Sequence, residues 1–230
     1  MEYTVLERVA EIRMDDGKVN AMGPAFFDEL NACLDRAERE KPGALVIAGR
    51  EGFFSPGLNV KVLPTLAPDE LGRTLRSFGD TLLRVWTFPI PTVAAVTGHA
   101  VAGGLFLSFA CDLRIMARGA FRLHANEHVI SLPLPTWALT ITQSVVHGHT
   151  FVEMMMHARA FTPDEAQARG FVDEVVDAGM VIARAREVAA PLHALSQPAY
   201  AQSKVRLRQR DFDWAKGLVP KEMSGFPVGR

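Results

Sequence analysis

Between residues 44 and 117 the hydrophobic period of the sequence switches repeatedly, and this alternation restricts the possible folds more than any other feature. Ala44–Ala48 (ALVIA) is a short apolar run of the kind that forms a strand buried on both faces. Pro68–Trp86 then carries apolar residues at helical spacing until Pro89 and Pro91 stop it. Thr92–Thr97 reads as a strand ended by Gly98, Ala102–Ala110 as a buried helix, and Leu113–Ala117 as another strand. Strands joined by helical crossovers imply a largely parallel, layered α/β core.

The flanks are consistent with that core. Tyr3–Met14 alternates polar and apolar residues and runs into Asp15-Asp16-Gly17, which predicts a strand, a turn and a return. Pro24–Glu40 repeats Phe26, Phe27, Leu30, Leu34 and Ala37 at helical spacing, with Pro24 in the first turn. After Pro135 the chain reads as mainly helical, and Thr162 with Glu165 predicts a capping box. A chain of 230 residues, 48% of them hydrophobic, supplies one substantial core, here assigned to residues 1–190 with a helical segment over 191–230. A formal net charge of -1 excludes broad electrostatic attraction to nucleic acid, so any anionic ligand must be held locally. The charged N-terminus predicts neither signal peptide nor membrane span, and a cytoplasmic protein is expected. Cys33 and Cys111 lie far apart in apolar surroundings, which predicts reduced core thiols; no metal site is expected.

Two glycine-containing segments, Phe53–Asn59 (FFSPGLN) and Gly98–Gly104 (GHAVAGG), each follow a predicted strand. Neither is a nucleotide loop: the second lacks the lysine and hydroxyl residue of a P-loop, and its spacing is not G-x-G-x-x-G. Each alone is compatible with an ordinary turn. The functional alternative is that one backbone N–H from each converges on a carbonyl oxygen and stabilises a thioester enolate.

Three segments together resemble the crotonase (enoyl-CoA hydratase/isomerase) superfamily: Phe54–Asn59, then Pro91–Ala117 with its Gly103-Gly104 pair followed by Cys111-Asp112-Leu113-Arg114-Ile115-Met116-Ala117, then Ala160–Val176. The resemblance implies the ClpP/crotonase-like fold, a spiral of ββα units with C-terminal helices. It also implies a CoA thioester as substrate rather than a separate cofactor, and a homotrimer or dimer of trimers. By position, the oxyanion donors would be the N–H groups of Leu58 and Gly103. Hydratases of the family carry a glutamate where this chain has Phe106. The other family glutamate matches Glu127, and Asn126-Glu127 through Pro135-Thr136-Trp137 resembles the N-E…P-x-W stretch of mitochondrial-type Δ3,Δ2-enoyl-CoA isomerases, with Ser131 in place of the usual glycine. Asn126, Phe106 and Trp137 would then line the substrate pocket. Hydration is well served by two facing carboxyl groups, whereas moving a double bond needs one base and an oxyanion hole. The residues therefore favour isomerisation, with hydration, thioester hydrolysis, decarboxylation or silent acyl-CoA binding as alternatives.

Other candidates have plain readings beside the functional ones. His99, His124 and His128 lie near the site segments and could donate hydrogen bonds, or simply be structural. Asp112 reads as a structural residue at a helix end. Met154-Met155-Met156 reads as helix packing or an acyl-chain wall. Lys204 and Arg208 share one helical face, and Arg206 and Arg210 another. Such rows are usually solvated, but Lys204 matches a family lysine and is the candidate contact to CoA phosphates.

Overall fold

The computed structural model describes residues 1–195 and 197–227. A six-stranded sheet has the order β1 (Glu2–Leu6), β2 (Val9–Arg13), β3 (Ala44–Ala48), β5 (Thr92–Val96), β7 (Leu113–Ala117), β9 (Glu174–Val176). Only its first pair is antiparallel. A second, parallel sheet contains β4 (Gly52–Ser55), β6 (Gly98–Val101) and β8 (Leu123–His124). The chain visits the large sheet, then the small one, then a helix: β3, β4 and α2 (Pro68–Trp86); β5, β6 and α3 (Gly103–Ala110); β7, β8 and α4 (Thr136–Gln143). This is the expected spiral of ββα units.

The continuous apolar runs are explained by what covers each face of the large sheet. Leu45 and Ile47 belong to the main core, under α1 (Pro24–Glu40), α2 and α3, while Ala44, Val46 and Ala48 belong to a second cluster with Val181, Ala185 and Ala189 of α7 (Val181–Ala189). Buried on both sides, the strand has no polar face to alternate with. Beyond β8 come α5 (Gly148–Met155) and α6 (Pro163–Ala168), and α6 starts with the expected reciprocal Thr162–Glu165 capping box. The long α8 (Gln197–Ser224) closes the chain against α2 and α4. Among the described residues, no helix is long and apolar enough to cross a membrane.

Several expectations need correction. The β1–β2 turn falls at Glu7-Arg8, both with positive φ (47° and 68°), rather than at Asp15-Asp16-Gly17. That loop instead folds on Asn20, whose side chain donates to the carbonyl oxygens of Met14 and Phe54 at 2.9 and 3.2 Å. Phe53–Ser55 and Gly98–Val101 are strands of the small sheet, so glycine there permits strand approach and not only turning. Cys111 is buried, but Cys33 is only partly so; both are free thiols.

Candidate active site

The two glycine-containing segments meet. Gly57 has φ of +86°, a left-handed conformation that favours glycine, and a Cβ built there would stand 2.7 Å from the Gly103 nitrogen and 2.9 Å from the Ala102 Cβ. Only a hydrogen lets the loops approach this closely. The first loop is pinned on both sides of Leu58, because the Met22 N–H donates to the Gly57 carbonyl and the Asn59 N–H to the Met22 carbonyl, each at 2.8 Å. The Leu58 N–H is left without a protein acceptor among the described residues, as is that of Gly103 at the start of α3. Ala102 before it holds φ of 49° and ψ of -123°, a conformation L-residues avoid, so local strain accompanies the turn that presents Gly103. Two free donors on touching loops, one at a helix start, form an arrangement able to hold an oxyanion.

The same turn is tied to the segment that carries Glu127. The Ala102 N–H donates to the His124 carbonyl at 2.8 Å, tying the second loop to β8. Three residues later, Glu127 opens a single 3-10 turn (Glu127–Ile130) closed by Ser131 with left-handed φ of 59°. That conformation accounts for the glycine usual at this position, and serine tolerates it. Glu127 is only 6% exposed, and its Oε2 has no hydrogen-bond partner among the described residues. Burial pushes its pKa up to about 7. The neighbouring Asn126 Oδ1 is likewise buried without a partner among the described residues. An unpaired carboxylate with a near-neutral pKa can both take and return a proton.

Phe106 and Trp137 are fully buried and meet edge-to-face at 5.8 Å between ring centroids, and Trp137 packs in the same way on Phe78 at 4.6 Å. Position 106 thus carries an apolar ring. The histidines have structural partners: His124 Nε2 lies 2.9 Å from the Ala158 carbonyl, His128 Nδ1 lies 3.3 Å from that of Met156, and His99 stacks between Phe53 and Phe121. Met154 and Met155 are core residues, whereas Met156 is exposed.

Lys204 requires a correction. It is 5% exposed, and its Nζ donates to Asp112 Oδ2 at 2.7 Å and to the Ile90 carbonyl at 3.3 Å, so it is committed to a buried ion pair and not presented to ligand phosphates. Arg208, one helical turn on, also binds Asp112, at 3.1 Å, while Arg206 and Arg210 are exposed. Sequence reasoning missed this cluster as a cluster; the i, i+4 cation pair facing a lone aspartate in a strand–helix corner was its only signal.

Comparisons with known proteins show the family and the fold. A family model described as enoyl-CoA hydratase/isomerase matches residues 5–214. The rat mitochondrial enoyl-CoA delta isomerase 1 is 26% identical over 209 residues, covering 89% of this chain and 72% of the rat protein. A solved apo structure of an enoyl-CoA isomerase from Mycobacterium tuberculosis superposes with a TM-score of 0.89 at 36% identity, covering 97% of this chain and 96% of that one. An enoyl-CoA hydratase structure from Mycobacterium ulcerans does so with a TM-score of 0.90 at 34% identity and 96% coverage of both chains. Relatives carrying either name are therefore equally similar in fold.

Proposed function

The chain belongs to the enoyl-CoA hydratase/isomerase family, and from that premise we propose that it moves the double bond of a 3-enoyl-CoA thioester to the 2-position. The observation that carries the choice is the buried Glu127 carboxylate, whose Oε2 has no partner among the described residues, taken with a ring and not a second acid at position 106. In this reading the thioester oxygen accepts hydrogen bonds from the Leu58 and Gly103 N–H groups. Glu127 removes a proton from C2, and the electrons move into a dienolate whose negative charge the two donors stabilise. The same carboxyl group, now protonated, returns the proton at C4, so the carbon skeleton gains and loses nothing. A pKa near 7 suits a group that must act in both directions. The ring at position 106 favours a site from which water is excluded, and water would divert the intermediate.

The test is incubation with 3-enoyl-CoA and 2-enoyl-CoA in separate reactions, with products separated by chromatography and identified by mass. Double-bond migration without gain of water is expected. Rapid formation of 3-hydroxyacyl-CoA from the 2-enoyl substrate, with no migration, overturns the proposal in favour of hydration. The reading also includes assembly as a homotrimer or dimer of trimers; light scattering showing a stable monomer counts against that part alone.

A further inference from the structure

The space beneath the second oxyanion donor is occupied by a continuous row of aromatic rings. Phe26 meets Phe27 at 5.6 Å between centroids, Phe27 meets Phe78 at 5.7 Å, Phe78 meets Trp137 at 4.6 Å, and Trp137 meets Phe106 at 5.8 Å. The row spans α1, α2, α4 and α3, and Phe27, Phe78, Phe106 and Trp137 are each no more than 4% exposed. It reaches the oxyanion loop directly: a Cβ built on Gly103 would lie 2.8 Å from the Phe78 ring and 3.1 Å from Met22 Sδ. The floor is equally tight from the other side, where a Cβ on Gly79 would meet the Trp137 ring at 3.0 Å. Interiors packed in this way yield to added volume only by moving side chains off their rotamers.

We infer that this aromatic row closes the inward path of the acyl chain and restricts the site to short acyl-CoA thioesters, with Phe78 as the specificity-determining residue. The inference rests on the reading of Leu58, Gly103 and Glu127 as a thioester site. With the carbonyl oxygen held at Gly103, the Phe78 ring lies against that same residue, so an acyl chain that turns inward there must displace it. Phe106 joins the row through Trp137.

Saturated acyl-CoAs test this independently of which reaction the enzyme performs. Binding of butyryl-, hexanoyl- and dodecanoyl-CoA, each below its micellar concentration, is measured by calorimetry on wild type, Phe78→Ala and Phe78→Leu. For wild type, dodecanoyl-CoA is expected to bind more weakly than hexanoyl-CoA by on the order of tenfold, against the ordinary trend of tighter binding with added methylenes. Phe78→Ala should restore that trend, and Phe78→Leu should shift it partway; the leucine variant serves alone if the alanine variant does not fold. Wild type that binds dodecanoyl-CoA at least as tightly as hexanoyl-CoA overturns the aromatic floor while leaving the functional reading intact. A length profile unchanged in the variants does the same for Phe78. Absence of binding to every acyl-CoA overturns the functional reading and this inference together.

Discussion

Glu127 and Asp112 are both carboxylates withdrawn from water, and their surroundings could hardly differ more. Asp112 accepts from the Thr92 N–H and hydroxyl at 2.9 Å each, from the Tyr200 hydroxyl at 2.8 Å, from Lys204 at 2.7 Å and from Arg208 at 3.1 Å. Burial alone would raise its pKa, but Lys204, Arg208 and the hydrogen bonds hold it below the usual carboxylate range. Glu127 Oε2 has no partner among the described residues, and burial outweighs the one backbone hydrogen bond that opposes it. Full satisfaction fixes α8 against the core; the lack of it leaves a group free to exchange a proton. Burial by itself therefore does not mark a candidate proton-transfer group, whereas burial without partners points to one.

The comparison breaks most visibly through Glu127→Gln. The amide preserves shape and cannot take a proton, so kcat is expected to fall by about a thousandfold while acyl-CoA affinity is largely retained. Wild-type turnover in this variant, measured by steady-state kinetics with a binding control, removes Glu127 from the mechanism. At the other carboxylate the expected loss is of stability. Asp112→Ala leaves Lys204 and Arg208 without their buried counter-charge and should destabilise the fold by about 3–5 kcal/mol, read from denaturant midpoints. A change under about 1 kcal/mol would mean that the cluster is a weak surface-like pair, contrary to its geometry.

These two residues also show what sequence could and could not reveal. The doubly buried strands Ala44–Ala48 and Leu113–Ala117, and the helices Pro24–Glu40 and Pro68–Trp86, were legible with their boundaries because period, proline and apolar run all agreed. The small sheet was not: β4 and β6 are four residues each, contain glycine, and look like turns until their partners are known. The short β9 was hidden in a helical stretch for the same reason of length. Glu127 and the two glycine loops became candidates through motif resemblance, since one acid among 26 has no local signature of burial. The fate of Lys204 was not legible, because a cation on a helix looks the same whether it faces a ligand or, as here, an aspartate 92 residues away.

The pH dependence of stability should separate the two carboxylates by sign. Glu127 has a folded pKa of about 7 against an ordinary value of 4.5. Between those values the unfolded chain gives up the proton that the folded chain keeps, so stability falls as pH rises through this window, reaching a loss of up to about 3 kcal/mol above it. Glu127→Gln should lack this slope, and so be more stable than wild type at pH near 8 but not at pH near 4. Asp112 runs the other way. Its folded pKa lies below the ordinary 3.8, so its contribution is present above that value and is lost as pH falls through the folded pKa. Urea titrations of both proteins across the range check this; parallel stability profiles would mean that Glu127 is not desolvated in solution.

The smallest expected effect concerns how Glu127 is held in place. Ser131 closes the 3-10 turn that begins at Glu127, is exposed, and sits at φ of 59°, where an L-residue pays in backbone strain. Ser131→Gly relieves that strain, while glycine's extra freedom in the unfolded chain offsets part of the gain, for a net stabilisation of about 0.5 kcal/mol. The Leu132 N–H still donates to the Glu127 carbonyl, at 2.9 Å, so the turn keeps a second closure and Glu127 should stay where it is. Turnover should accordingly match wild type within about twofold. A large drop in kcat together with higher stability would show that the serine's rotational stiffness, and not the hydrogen bond at Leu132, aims the carboxylate; the satisfied Asp112 cluster, whose geometry is fixed by five donors, has no comparable weak point.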